Sequence, residues 1–161
     1  MKNKNGFTLI ELLAVIVVLS IVTVIATQSI LPFMSNARPD AFRIEASNVI
    51  NSSQDAISFY NLGKITLDNN ANSCKKGNVV CFTIAELIDL GLYKGDKDIY
   101  KGKVLIDVTT ATSPTYTLYL QKGAEFNIKG GTETDYVDNG TINNGGWTDA
   151  ELTEYTACDC N

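Results

Sequence analysis

The chain has 161 residues, room for one compact domain and one additional element but too few for two ordinary domains. It carries 18 acidic residues against 13 basic ones, so its surface repels phosphate backbones and nucleic acid is excluded as a partner. It has no histidine, which removes the commonest general base, the Ser-His-Asp arrangement and most zinc hydrolase ligand sets together.

Residues 1–6, MKNKNG, are polar and basic and run directly into FTLIELLAVIVVLSIVTVIATQSIL. An ordinary secretory signal would end its apolar run in a small-residue cleavage box, and none follows here. No charged side chain lies between Leu12 and Ala37. The mainly apolar part, Leu12 to Leu31, is about 30 Å long as a helix and so matches the hydrocarbon thickness of a bilayer. Lys2 and Lys4 hold this end in the cytoplasm, and the long C-terminal part is exported. Glu11 is the anomaly. A carboxylate inside the apolar run costs several kcal/mol in lipid unless it is neutralised or paired, although a place at the headgroup boundary, where the helix dipole favours anions, needs no partner.

The segment G-F-T-L-I-E, Gly6 to Glu11, resembles the processing site of type IV prepilins. The resemblance implies a leader of residues 1–6, a membrane aspartyl peptidase that cuts between Gly6 and Phe7, and methylation of the new amino group of Phe7. It also gives Glu11 a part in subunit registration, and a charge pair between Glu11 and the Phe7 amino group of an axially displaced neighbour would neutralise two charges otherwise stranded in an apolar bundle. Residues 7–32 are then the transmembrane and assembly helix, and residues 33–161 the globular pilin domain. The implied product is a structural subunit of a type IV pilus serving surface adhesion and motility, with no enzymatic activity and no cofactor. It is a single-pass membrane protein before assembly and an extracellular homo-oligomeric helical filament afterwards. Its implied partners are the prepilin peptidase, an assembly ATPase and a membrane platform. Loss of Lys2 and Lys4 with the leader leaves 11 basic residues against 18 acidic, a side-chain charge of −7. A pseudopilin of a secretion or DNA-uptake system shares the same leader and Glu11, and the N-terminus does not separate the two.

Downstream, Pro32 and Pro39 each remove a backbone donor, and a kink or melted stretch is expected between about Gln28 and Asp40. Helical periodicity then places Phe42, Ala46, Val49, Ile50, Ser53, Ile57 and Tyr60 on one face and Arg43, Ser47, Asn51, Gln54 and Ser58 opposite. A loop holding Asn69, Asn70, Asn72 and Gly77 follows. Thr83 to Gly91 reads as a short helix with a capping box of Thr83 and Glu86 and a stop at Gly91. The phrase FTIAELIDLGLY, Phe82 to Tyr93, also resembles the segment before the sheet in many Gram-positive pilins, of the clostridial type, and the size of the chain suggests a major pilin rather than a tip protein.

Alternation at Val104, Ile106 and Val108, then Tyr116, Leu118 and Leu120, then Phe126 and Ile128 predicts antiparallel strands, with breaks at Thr112 to Pro114 and at Lys122 and Gly123 short enough for hairpins. The fold class is therefore α+β, a pilin fold: a long N-terminal helix, its apolar half protruding and its amphipathic half packed on an antiparallel sheet. Gly130 to Asn161 reads as surface loop around Trp147, with a short strand over Thr132 to Val137 and a weak helical pattern over Asp149 to Tyr155. Asp135, Asp138, Asp149, Glu151 and Glu154 match no spaced calcium loop, so they are solvated acids and no metal site is expected.

Cys74, Cys81, Cys158 and Cys160 allow three disulfide pairings in an exported domain. Pairing Cys74 with Cys81 leaves a strained ring between Cys158 and Cys160, whereas cross-bridging ties the C-terminal tail to the loop around Asn78 and is the favoured reading. Zinc held by all four thiolates is the rival, although C-x6-C with C-x-C misses the short knuckle spacing. No glycine-rich phosphate loop is present: Gly130 and Gly131 lack the further glycine and the helix that a dinucleotide site needs.

Overall fold

The computed structural model describes residues 8–68, 70–110, 112–131 and 142–159, and of these only the backbone at 29, 31–36, 143 and 144. The first helix, α1, spans Leu9–Asn61, 53 residues. It passes through Pro32 and Pro39 without a break, so of the kink or melted stretch expected between about Gln28 and Asp40 the melted alternative is not present. Each proline removes one donor at a single turn, and the long helical runs on either side need no new nucleation to continue past it. The chain divides between Arg38 and Pro39 into two units.

In the first unit, Leu9–Gln28 is long and apolar enough to cross a membrane, and none of it is buried. Ser20, Thr23 and Thr27 satisfy their hydroxyls by donating to the carbonyls of Ile16, Leu19 and Thr23 one turn earlier, at 2.7, 2.9 and 2.6 Å. Polar atoms that close on their own backbone are compatible with an apolar surrounding.

The second unit is built on a six-stranded antiparallel sheet in which strand order equals chain order. The strands are β1, Ser73–Lys76; β2, Val79–Thr83; β3, Tyr100–Asp107; β4, Thr115–Lys122; β5, Phe126–Lys129; and β6, Ile142–Asn144. Among the described residues two short helices complete it: α2, Ile84–Asp89, and α3, Asp149–Tyr155. The alternation read from the sequence sets the faces. Val104, Ile106, Tyr116, Leu118, Leu120, Phe126 and Ile128 are buried and share one cluster with Phe42, Ala46, Val49, Ile50 and Ile57 of α1. Phe42 stacks on Phe126 with ring centroids 5.6 Å apart. At the edge of this layer Lys122 Nζ reaches Glu45 Oε1 at 2.6 Å, and the Ser52 hydroxyl donates to the Leu92 carbonyl at 2.9 Å.

The hairpin of β1 and β2 replaces the long loop expected around Asn69 to Gly77, and it turns over Gly77 and Asn78 with Gly77 at φ +60°. Helix α2 has the expected cap, in which Thr83 accepts from the Glu86 N–H at 3.2 Å. The reciprocal half of the box is taken by a different acceptor, because the Thr83 N–H donates to the Asn72 carbonyl at 2.8 Å. Gly91 ends the helix at φ +71°. Helix α3 is better formed than its weak pattern suggested, since Thr148 and Glu151 make a complete capping box. The strand expected over Thr132 to Val137, and with it Asp135 and Asp138, lies outside the described residues.

Candidate functional site

Two parts of the chain carry the residues singled out by the sequence. At the N-terminus, Gly6 and Phe7 lie outside the described residues. Glu11 sits in the first turn of α1, fully exposed, and its carboxylate is engaged within the chain. The Thr8 N–H and the Thr8 hydroxyl both donate to Glu11 Oε2, at 2.9 and 2.8 Å, and the Glu11 N–H returns to the Thr8 hydroxyl at 3.4 Å. This is a capping box. It satisfies donors that the start of a helix otherwise strands, and it fixes the direction in which the carboxylate leaves the helix. Thr8 was not among the residues expected to matter, although T-L-I-E carries the T-x-x-E signature.

The second part is the tail on the sheet face opposite α1. The register sets Cys74 beside Cys81, Cys81 beside Leu105, Thr83 beside Lys103, and Lys103 beside Tyr119, so these side chains form one outward patch. The tail covers it. Cys81 and Cys158 form a disulfide with Cα atoms 5.8 Å apart, joining positions separated by 77 in sequence. Cys74 is also disulfide-bonded, and Cys160 lies outside the described residues. Cys74, Cys81 and Cys158 are each buried, and the Cys158 N–H donates to the Ala71 carbonyl at 2.7 Å.

Lys103 is the least expected member of this patch. It is 8% exposed, and its ammonium donates to the carbonyls of Glu154 and Ala157 at 2.7 and 3.0 Å. These are carbonyls at and just past the C-terminal end of α3, where a cation meets the negative end of the helix dipole. Burial pushes the Lys103 amine below its ordinary value, opposed by the charges of Glu154 and Asp159. Tyr155 stacks on Tyr119 with centroids 4.6 Å apart, and Trp147, read earlier as a loop residue, is buried edge-on against Tyr155 at 5.2 Å. Lys129 pairs with Glu151; that contact and the Thr148 N–H hold the Glu151 carboxyl down at about 2.

Among the described residues no group of His, Cys, Asp or Glu is placed to hold a metal ion. The acids Asp149, Glu151 and Glu154 are used by or lie on α3 rather than converging on one point.

The family described as "Prokaryotic N-terminal methylation motif" matches residues 1–27. No curated protein and no solved structure matches the chain.

Proposed function

We propose that this chain, a type IV pilin-like precursor anchored in the membrane by its apolar N-terminal helix, is cut between Gly6 and Phe7 and polymerises as a structural pilus subunit rather than acting as an enzyme. One observation carries the reading: the methylation motif of residues 1–27 coincides with a 20-residue apolar span with no buried residue and an acid, Glu11, at its start. Bare apolar surface of this extent demands lipid before assembly and other helices after it.

Glu11 supplies the register. Both Thr8 hydrogen bonds land on Oε2, and the other carboxylate oxygen is the one assigned to the Phe7 amino group of a neighbouring copy. The capping box preorganises the acceptor, so less ordering remains to be done when the pair forms. Processing by the prepilin peptidase, and assembly by an ATPase and a membrane platform, follow from the family resemblance. We assign the chain the role of a major subunit of an adhesive or motile pilus, since the second unit carries its own six-stranded sheet and hydrophobic core; a pseudopilin would give only short fibres in electron micrographs.

The test is the N-terminus and the fibre together. Mass spectrometry of assembled material should find N-methylated Phe7, and an intact Met1 would reject the processing. Glu11→Ala and Glu11→Gln should both leave cleavage and insertion intact and lower fibre yield, and normal yield from either would refute the pairing role.

A further inference from the structure

Within the second unit a groove of about 740 Å³ opens between the C-terminal half of α1, strands β1 and β2, and the turn that joins β3 to β4. That volume lies within the range of small-molecule sites. One wall is a stripe of α1: Ser47, Asn51, Gln54, Ser58 and Asn61, at intervals of four, three, four and three residues, so all five share a helix face. The stripe is uncharged throughout, on a chain rich in acids, and among the described residues Lys75 of β1 is the one charged member of the lining. The floor is apolar, with Ile57, Val80 and the rings of Tyr60 and Tyr116.

The state of the polar groups selects the ligand chemistry. Among the described residues the side chains of Asn51, Gln54, Asn61 and Lys75 make no hydrogen bond or ion pair within the chain, so three amides and an ammonium are available to whatever enters. An amide presents donors and an acceptor side by side, which suits a group that is itself donor and acceptor. Phosphate or a polyacid would call for more than one cation. We propose that this groove binds a neutral oligosaccharide, its hydroxyls read by Asn51, Gln54 and Asn61 and its C–H face laid on the floor of Ile57 and Tyr60. The site uses no residue of the N-terminal motif and stands whether or not the chain polymerises.

The experiment uses the full chain in detergent micelles and ligand-observed NMR, with maltotriose, cellobiose, lactose and diacetylchitobiose as neutral probes. Sialyllactose, inorganic phosphate and tetra-alanine serve as the charged and peptidic alternatives. At least one neutral sugar should give saturable transfer. Asn51→Ala with Gln54→Ala should weaken it about tenfold, the loss expected for two hydrogen bonds, and leave the unfolding midpoint unchanged because both side chains are exposed. Ser58→Trp, which fills the groove, should abolish it, whereas Lys75→Gln should retain it. No saturation by any neutral sugar, undiminished binding in the double variant, or saturation only by phosphate, sialyllactose or the peptide would each overturn the assignment.

Discussion

Replacing the cysteines by alanine, one bridge at a time, tests how the tail is fastened. The disulfide between Cys81 and Cys158 closes a loop of 77 residues, for which the chain-entropy relation gives about 4.5 kcal/mol at 25 °C. Cys74 is also bridged and lies beside Cys81 in the β1–β2 register. We predict that its partner is Cys160. With the tail already held by one bridge, the other then closes only the small ring through Cys74–Cys81 and Cys158–Cys160, roughly 10 residues, and adds about 2.7 kcal/mol. Cys81→Ala with Cys158→Ala should therefore cost about 2.7 kcal/mol or somewhat less, and removal of all four cysteines about 7 kcal/mol as an upper figure. Denaturant unfolding of the oxidised chain in detergent, followed through Trp147, reads both values. If the first pair alone costs as much as all four, the two bridges do not share the tail and the reasoning fails. Peptide mapping without reduction should find the Cys74 and Cys81 peptides linked to the C-terminal peptide; the zinc site weighed from the sequence is overturned, because Cys74, Cys81 and Cys158 are disulfide-bonded and offer no thiolate to a metal.

Ile57→Asp should destabilise the second unit by about 3 kcal/mol or more, since Ile57 is 8% exposed in the α1–sheet cluster and an unpaired carboxylate there has no partner; an unchanged unfolding midpoint would refute the packing. The Glu151 carboxyl titrates at about 2 in the folded chain against an ordinary 4.5, so its contribution is present above pH 4.5 and is lost as pH falls toward 2. Fluorescence of Trp147, the lone tryptophan, should report loosening of α3 across that window, and Glu151→Gln should flatten the response.

The readable parts of the sequence were those where one physical requirement acts alone. The buried stripe of α1 from Phe42 to Ile57 and the alternating residues of β3, β4 and β5 follow directly from having one face in the core. The β1–β2 hairpin was missed because β1 is S-C-K-K, with no apolar alternation. Its strand state comes from pairing with β2 and from the bridged cysteines, and the local signal was the two-residue Gly77-Asn78 turn. Lys103 was not identifiable because it lies in a strand whose other face is the core. Only the return of the tail, some 50 residues later, turns a solvent-facing position into a buried one. The candidate N-terminal site is legible down to Glu11, and the T-x-x-E signature carries its Thr8 partner as well. The melted stretch failed because two isolated prolines interrupt hydrogen bonds without supplying any competing structure.

The order of the sheet bears on export. Each strand pairs with the one made just before it, so a chain threading outward from its membrane anchor can add strands in sequence without waiting for distant segments. The C-terminal cysteines arrive last. In the folded chain Cys158 meets Cys81 on a β2 flanked by β1 and β3, so the sheet positions the thiol that the tail needs. Under the proposed function, oxidation after export becomes an inspection step, because a β2 slipped by one residue turns Cys81 to the other face and offers the tail no thiol.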